Sequence, residues 1–298
     1  IVNKQSIQWI IKSNVTNIYV FIKNKDDVDE NKAAKIIANH ISTKDLYVDK
    51  PINGRADIYS KKNGMLIIEK NKLIKVNKRF DDLAICSLKS FSLVKVGQLV
   101  GNVKVLPYAL SIKKISSLIN DISYKSIFSL KTTQIKRVAL IFSVGNNNLK
   151  KSKIKSALET RLKLFGLKVN TVKETSHTTE TLSYIINKVI NENNIDLLLI
   201  YGSTSIADKN DVIPYSIKIL KGKIISFGLP ADPGNLALLA SIGKVKVIGV
   251  PGCASSPKRN GFDIILERLC FGVNIDTNVI AEIGESGLFK NLIKKKHF

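Results

Sequence analysis

The residues whose types and spacing could do chemistry fall in three loops of the second half of the chain. Gly202-Ser203-Thr204-Ser205 follows an apolar run ending at Tyr201, and Asp208 and then Asp211-Val212-Ile213-Pro214 open the next helical stretch. A glycine here lets backbone approach a ligand, three hydroxyls add donors, and a helix start supplies free N–H groups, so an anion such as a phosphate fits. Asp211 is the candidate for holding a magnesium ion against phosphate oxygens; no catalytic group is assigned, and Asp211 is the carboxylate that would fill that role. The same residues also read as a Ser/Thr-rich turn with Asp211 as a helix cap and Pro214 in the first turn, which needs no ligand.

The second loop, Gly228-Leu229-Pro230-Ala231-Asp232-Pro233-Gly234-Asn235, follows an apolar run ending at Phe227. The third, Pro251-Gly252-Cys253-Ala254-Ser255-Ser256-Pro257-Lys258-Arg259-Asn260-Gly261, follows Val250 and precedes a helical stretch beginning at Phe262. Glycine-bearing loops at three strand ends exceed what chain reversal requires. If their strands are neighbours, the loops share a crevice in which Ser255, Ser256, Lys258 and Arg259 offer donors and positive charge. The candidate binding residues are therefore Gly202, Ser203, Thr204, Ser205, Asp211, Asp232, Pro233, Gly234, Asn235, Pro251, Gly252, Cys253, Ser255, Ser256 and Lys258.

Other reactive side chains are less well placed. Cys253 has no neighbouring His or Asp in sequence to activate a thiolate, and reads as a small packing residue. His177 lies between a strand and a helix, where a side chain meets either solvent or a site. His40 and His297 carry no argument. No Ser-His-Asp order, Walker A loop or GxGxxG occurs, which counts against hydrolase, P-loop and dinucleotide readings.

The elements that must position these loops are legible in the apolar pattern. Residues 137–143 (RVALIFS) and 196–201 (DLLLIY) read as buried parallel strands, with 167–172, 223–227 and 245–250 as further strands. Ser152 precedes a helix whose apolar residues Ile154, Ala157, Leu158, Leu162 and Phe165 share one face, and Gly166 stands where a left-handed cap is wanted. Thr178 caps a second helix carrying Leu182, Ile185, Ile186, Val189 and Ile190. This alternation predicts a three-layer αβα domain with a mostly parallel sheet, whose ligands lie beyond the carboxyl ends of the strands. The first half is different: helix, strand and helix over residues 7–39, with the strand at 18–22, and then short β-type runs at 65–68, 73–76, 83–87 and 99–105. A helix and polar connector over 111–133 close it. The expected division is 1–133, a smaller α/β and β-rich module, and 134–298, the αβα domain.

The 298 residues, 44% hydrophobic, allow both parts a real core. No apolar run approaches the ~18 residues of a membrane-spanning helix, and the three cysteines Cys86, Cys253 and Cys270 form no disulfide or zinc pattern, so a cytoplasmic protein without membrane contact is expected. Lys and Arg outnumber Asp and Glu by 47 to 24, a formal charge of +23. The excess is almost all lysine, scattered except for Lys294, Lys295 and Lys296, whereas base readout and phosphate forks favour arginine. The charge therefore reads as compositional drift that attracts anions in general more than as a nucleic-acid surface.

The three loops, in this order and spacing, resemble the molybdopterin-binding domain of proteins of molybdenum-cofactor biosynthesis. Members of that family carry a Gly-Gly-Thr-Gly-like loop followed by an Asp-Val-Thr-Pro-like helix start; the similar segments here are Gly202-Ser203-Thr204-Ser205 and Asp211-Val212-Ile213-Pro214. The family's later proline-glycine elements look like Asp232-Pro233-Gly234-Asn235 and Val250-Pro251-Gly252-Cys253-Ala254. One subgroup joins this domain to a nucleotidyltransferase that passes cytidylyl to the cofactor. Its first-half segments are similar to Asn53-Gly54-Arg55-Ala56-Asp57 and to residues 96–107 (VGQLVGNVKVLP). The resemblance spans roughly residues 7–288.

The resemblance implies a molybdopterin-binding fold and a ligand that is molybdopterin or molybdenum cofactor, bound during its biosynthesis or maturation. Relatives that adenylylate the pterin use an aspartate after the second strand, where this chain reads Glu174-Thr175-Ser176-His177, and a second glycine where it has Ser203. No glycine-rich nucleotide loop follows the third loop. The expectation is a binding module without its own transferase, working with a nucleotidyltransferase domain or a separate partner, and compatible with a homo-oligomer. The competing expectations are a lysine-rich nucleic-acid binder and a nucleotide-cofactor hydrolase of the same fold.

Overall fold

A computed structural model describes residues 2–18, 20–122, 126–146 and 149–289. The lysines 294–296 and His297 lie outside the described residues. The chain divides into two units, 1–130 and 131–298.

The first unit runs α1 (Lys4–Lys12), β1 (Asp27–Asp29), α2 (Glu30–Ile41), β2 (Leu46–Val48), β3 (Arg55–Ser60), β4 (Gly64–Ile68), α3 (Lys70–Arg79), β5 (Leu83–Ser87), β6 (Leu93–Val94), β7 (Leu99–Val105), β8 (Ala109–Ser111), α4 (Ile112–Ile122) and β9 (Phe128–Lys131). Its core packs Ala33, Ala34, Ile37, Ala38 and Ile41 of α2 onto the antiparallel sheet β2-β3-β7-β5. The two first-half segments singled out in the sequence pair as neighbours there, with Ala56 opposite Val103. A side chain on Gly54, at φ +72°, would start 2.7 Å from the Val105 carbonyl oxygen, so glycine is required where the turn meets β7.

Two expectations for this unit are corrected. Residues 18 and 20–22 form no strand: among the described residues no strand pairs with them, and Ile18, Val20, Phe21 and Ile22 are exposed. An apolar run without a partner edge leaves its backbone groups unpaired, so periodicity alone misassigned it. Residues 73–76 belong to helix α3, where the three-residue spacing of Leu73 and Val76 puts both against the core.

The second unit runs β10 (Val138–Val144), α5 (Lys151–Lys163), β11 (Val169–Ser176), α6 (Thr179–Asn193), β12 (Leu197–Gly202), α7 (Val212–Ile219), β13 (Lys223–Phe227), β14 (Leu238–Ile242), β15 (Val245–Gly249), α8 (Gly261–Cys270) and α9 (Thr277–Ala281). They build a six-stranded mixed sheet in the order β11-β10-β12-β15-β14-β13. The pairs β10–β11, β10–β12 and β12–β15 are parallel, whereas β14 is antiparallel to both neighbours. The sequence reading missed β14, which returns from the second loop and turns tightly at Gly243 into β15.

Every residue of Leu197–Tyr201 is buried, which demands cover on both faces of the sheet. On one, Leu182, Ile186 and Val189 of α6 and Ile213 and Ile217 of α7 pack against Ala139, Ile141, Leu198 and Ile200. On the other, α5 and α8 are tied together by the Arg161–Asp263 ion pair, and just past their ends Phe165 meets Phe271 edge to face. The caps behave as chemistry dictates: the Thr178 side chain accepts from the Thr181 amide at the start of α6, and Gly166 sits at φ +71° after α5. Ser152 lies inside α5 rather than at its cap, which is Lys150.

Candidate functional site

The strand order fixes where a crevice opens. From β10 the chain crosses to β11 on one side and then back to β12 on the other, so β10 and β12 are neighbours whose connections diverge. Such a switch point leaves the carboxyl ends of the two strands uncovered by their own crossovers, and ligands of open α/β sheets sit there. The residues at this place are Ser143 and Val144 at the end of β10 with Gly145 after it, His177 after β11, and Gly202 at the end of β12 with Ser203 and Thr204 after it.

They are stitched together. The Ser203 amide donates to the Ser143 carbonyl at 2.9 Å, and the Gly145 amide donates to Ser203 Oγ at 3.0 Å. His177 places Nδ1 2.8 Å from Ser143 Oγ and Nε2 3.0 Å from Thr204 Oγ1, while its own amide donates to the Val144 carbonyl. Ser143 is fully buried and Thr204 exposed, so the imidazole connects the interior to the open end of the first loop. Burial lowers the pKa of His177 below its ordinary value, and the field of Asp211 opposes that shift.

Two first-loop residues have roles within the protein. A side chain on Gly202 would meet Ile213 Cδ1 at 2.9 Å and the Thr204 carbonyl oxygen at 3.1 Å, so this glycine also lets the loop pack closely on α7. Asp211 stands at the head of α7 but makes no side-chain cap; its Oδ2 accepts the amides of Ala207 and Asp208 at 2.7 and 2.9 Å and orders the loop itself. Among the described residues no group of three or more His, Cys, Asp and Glu gathers to hold a metal. A carboxylate with one oxygen committed to two amides, outside any such group, is not the donor set of an all-protein magnesium site.

The third loop is held from beneath by Arg161, a residue the sequence reading passed over. This side chain is 5% exposed and uses its guanidinium fully: Nε donates to Asp263 Oδ1, Nη1 to the carbonyls of Ala157 and Ala254, and Nη2 to those of Ser256 and Lys258, all at 2.7–3.1 Å. Five donors thus meet five acceptors, which is what a buried guanidinium requires. A signal was present, since Arg161 falls on the same helix face as Ile154, Ala157 and Leu158, where a charge has no reason to be unless something buried pairs with it.

Arg259 and the start of α8 have partners within the protein. The exposed Arg259 guanidinium forms a two-pronged pair with the buried Glu267, which offsets part of its charge. The α8 amides are taken: Gly261 donates to the Pro233 carbonyl, Phe262 to the Asn260 side chain and Asp263 to the Asn260 carbonyl. That helix end is closed to an anion. Lys258 keeps an exposed side chain. Burial raises the pKa of the half-buried Cys253 thiol, which suits the packing role read for it.

The loops are linked to one another. Tyr201, near the end of β12, stands beside Ser255 of the third loop, whose hydroxyl donates to the Gly252 carbonyl at 2.8 Å. Gly234 of the second loop, at φ +126°, abuts Gly261: a side chain on Gly234 would lie 2.5 Å from the Gly261 nitrogen. Asp232 is tied through its backbone to Gly287 and Phe289. Since Phe227 and Gly249 both lie opposite Leu238, the second loop opens on the same edge of the sheet as the other two.

The fold is thus an α/β unit with a mixed sheet and a loop-built polar edge. No family model matches the chain, and no curated protein matches it. Among solved structures it is similar to the molybdopterin biosynthesis MoeA protein from Pyrococcus horikosii, at 14% identity and a TM-score of 0.33 over 83% of this chain and 75% of that one. It is also similar to a molybdenum cofactor biosynthesis protein B, at 18% identity and a TM-score of 0.34 over 52% of this chain and 95% of that one.

Proposed function

We propose that the second unit binds molybdopterin or molybdenum cofactor during its biosynthesis or maturation. The observation that carries this reading is the shared sheet edge on which the loops 202–211, 228–237 and 250–260 open, beside the switch point between β10 and β12. The ligand is a flat pterin with a dithiolene and a terminal phosphate. It needs hydroxyl and amide donors for the phosphate, a slot bounded by backbone for the ring, and a positive surround. Thr204, Ser205 and His177 offer the first, the proline-glycine segments at 232–235 and 250–254 the second, and Lys258 with the general lysine excess the third. The loop sequences, similar to those of molybdopterin-binding domains, support the same reading.

In this account the chain holds and presents the pterin, and nucleotide transfer belongs to a partner domain or protein. Any magnesium ion would arrive with phosphate oxygens and water as its ligands. Among the described residues no helix is long and apolar enough to cross a membrane. Anaerobic equilibrium titration of the full chain with molybdopterin tests the proposal: saturable one-to-one binding with moderate salt dependence supports it. Steeply salt-dependent binding of RNA or DNA without any for the pterin overturns it.

A further inference from the structure

The cluster Ser143–His177–Thr204 does more than close a loop, because its three hydrogen-bonding groups share too few or too many protons depending on one ring. In the neutral imidazole one ring nitrogen has no hydrogen, so either Ser143 or Thr204 must turn its hydroxyl proton inward to satisfy it. In the imidazolium both ring nitrogens donate and both hydroxyl oxygens accept, so the Thr204 proton points outward in every arrangement, whereas the neutral ring leaves it so only when Ser143 supplies the inward proton. Thr204 is exposed at the open end of the loop, so an oxyanion placed there meets an O–H donor with a cation one bond behind it.

The surroundings favour neither charge outright. Among the described residues, the charged group whose field bears on the ring is Asp211 at the head of α7. Glu174, on the same strand as the segment leading to His177, has its carboxylate engaged by Lys151 of α5 at 2.7 Å. Glu180 lies in the first turn of α6. From β10 the ring meets the neutral Ser143, and from the first loop the neutral Thr204, with Gly202 Cα side facing its Cε1. A half-buried neutral ring with no counter-charge hydrogen-bonded to it gains its proton most readily when an anion arrives.

We infer that binding of a phosphate-class oxyanion at Thr204 is coupled to uptake of one proton by His177. This deepens the proposed pterin site and rests on it only for the natural ligand, since the coupling belongs to the oxyanion. The proton comes from solvent and ends on the imidazole; no covalent bond forms or breaks. His177 is thereby a positioning residue, acting on the ligand through Thr204.

Sulfate is the suitable probe, being doubly charged throughout the range in which histidine titrates. The measurement is the NMR titration of His177 in the full chain, assigned by its loss in His177→Gln, with and without sulfate. The expected result is a titration midpoint below the ordinary histidine value that rises in sulfate, with sulfate affinity growing up to about tenfold per unit as pH falls toward that midpoint. In Thr204→Val, an isosteric change at an exposed position, the rise should shrink. A midpoint indifferent to sulfate, or sulfate that binds without perturbing His177 and Thr204, overturns the inference. Molybdopterin binding with no proton uptake would sink the coupling and leave the proposed function standing; the sulfate response without pterin binding would do the reverse.

Discussion

His177 Nε2 stands 3.0 Å from Thr204 Oγ1, joining the end of β11 to the loop after β12 across the strand that separates them. Neither residue is near the other in sequence, and the bond exists because β11 and β12 flank β10. Burial lowers the pKa of this histidine below its ordinary value, so the ring at this edge is a titratable group held by two hydroxyls.

That titration has a sign in stability. Burial lowers the pKa of His177, so between its folded midpoint and about 6.5 the unfolded chain holds more protons than the folded one. Stability is therefore full above that window and falls as pH drops through it. Chemical denaturation of wild type and His177→Gln at about pH 7.5 and 5.5 should show wild type losing more stability on acidification. A larger loss in the variant would contradict the assignment.

Arg161 should be the costliest polar residue of the unit to remove. Arg161→Met leaves Asp263 and the carbonyls of Ala254, Ser256 and Lys258 without their donor, and breaking a buried pair of this kind costs about 3–5 kcal/mol. Denaturant unfolding reads the loss directly, and hydrogen exchange should place it in the third loop. A loss below about 1 kcal/mol would mean that the loop holds its shape without the guanidinium.

Lys258 and Arg259 are adjacent but should behave differently. Lys258→Gln touches an exposed side chain and should change stability within about 0.5 kcal/mol while weakening anion binding. Arg259→Gln strips the partner from the buried Glu267 and should destabilise by about 1–3 kcal/mol, with little direct effect on a bound anion. Matching effects of the two variants on both readouts would contradict the separation of roles.

The three thiols should react in order of access. Cys86 is exposed, the half-buried Cys253 is raised by burial, and burial pushes Cys270 up to about 12. Iodoacetamide labelling followed by mass spectrometry should modify Cys86 first, Cys253 slowly and Cys270 only on unfolding. Rapid labelling of Cys253 in the native protein would reveal an activated thiolate that the geometry does not show.

Much of the second unit was legible because its apolar runs and helix stripes carry their own period, as in 196–201 and in the face bearing Leu182, Ile186 and Val189. What escaped was non-local. Strand β14 has the same apolar texture whichever way it runs, and only its pairing with β13 and β15 makes it antiparallel. Residues 18 and 20–22 look like part of a strand in sequence, yet among the described residues no strand pairs with them. In the candidate site, loop positions could be read from glycines and strand ends, but not which donors were already spent. Asp211 on its own loop, Arg259 on Glu267 and the capped start of α8 are engaged by protein partners, and Arg161, which the loop motifs do not include, holds the third loop.

The central claim is that the edge formed by Thr204, His177 and the proline-glycine loops binds a phosphate-bearing pterin. The most direct measurement is anaerobic titration of molybdopterin into wild type, Thr204→Val and a variant with Lys294, Lys295 and Lys296 changed to Gln. The account predicts saturable binding weakened by about 1–3 kcal/mol in Thr204→Val, the worth of a hydrogen bond to a charged group, and near-wild-type affinity in the tail variant although it loses three charges. No saturable binding by wild type, or a larger loss in the tail variant than in Thr204→Val, would contradict it.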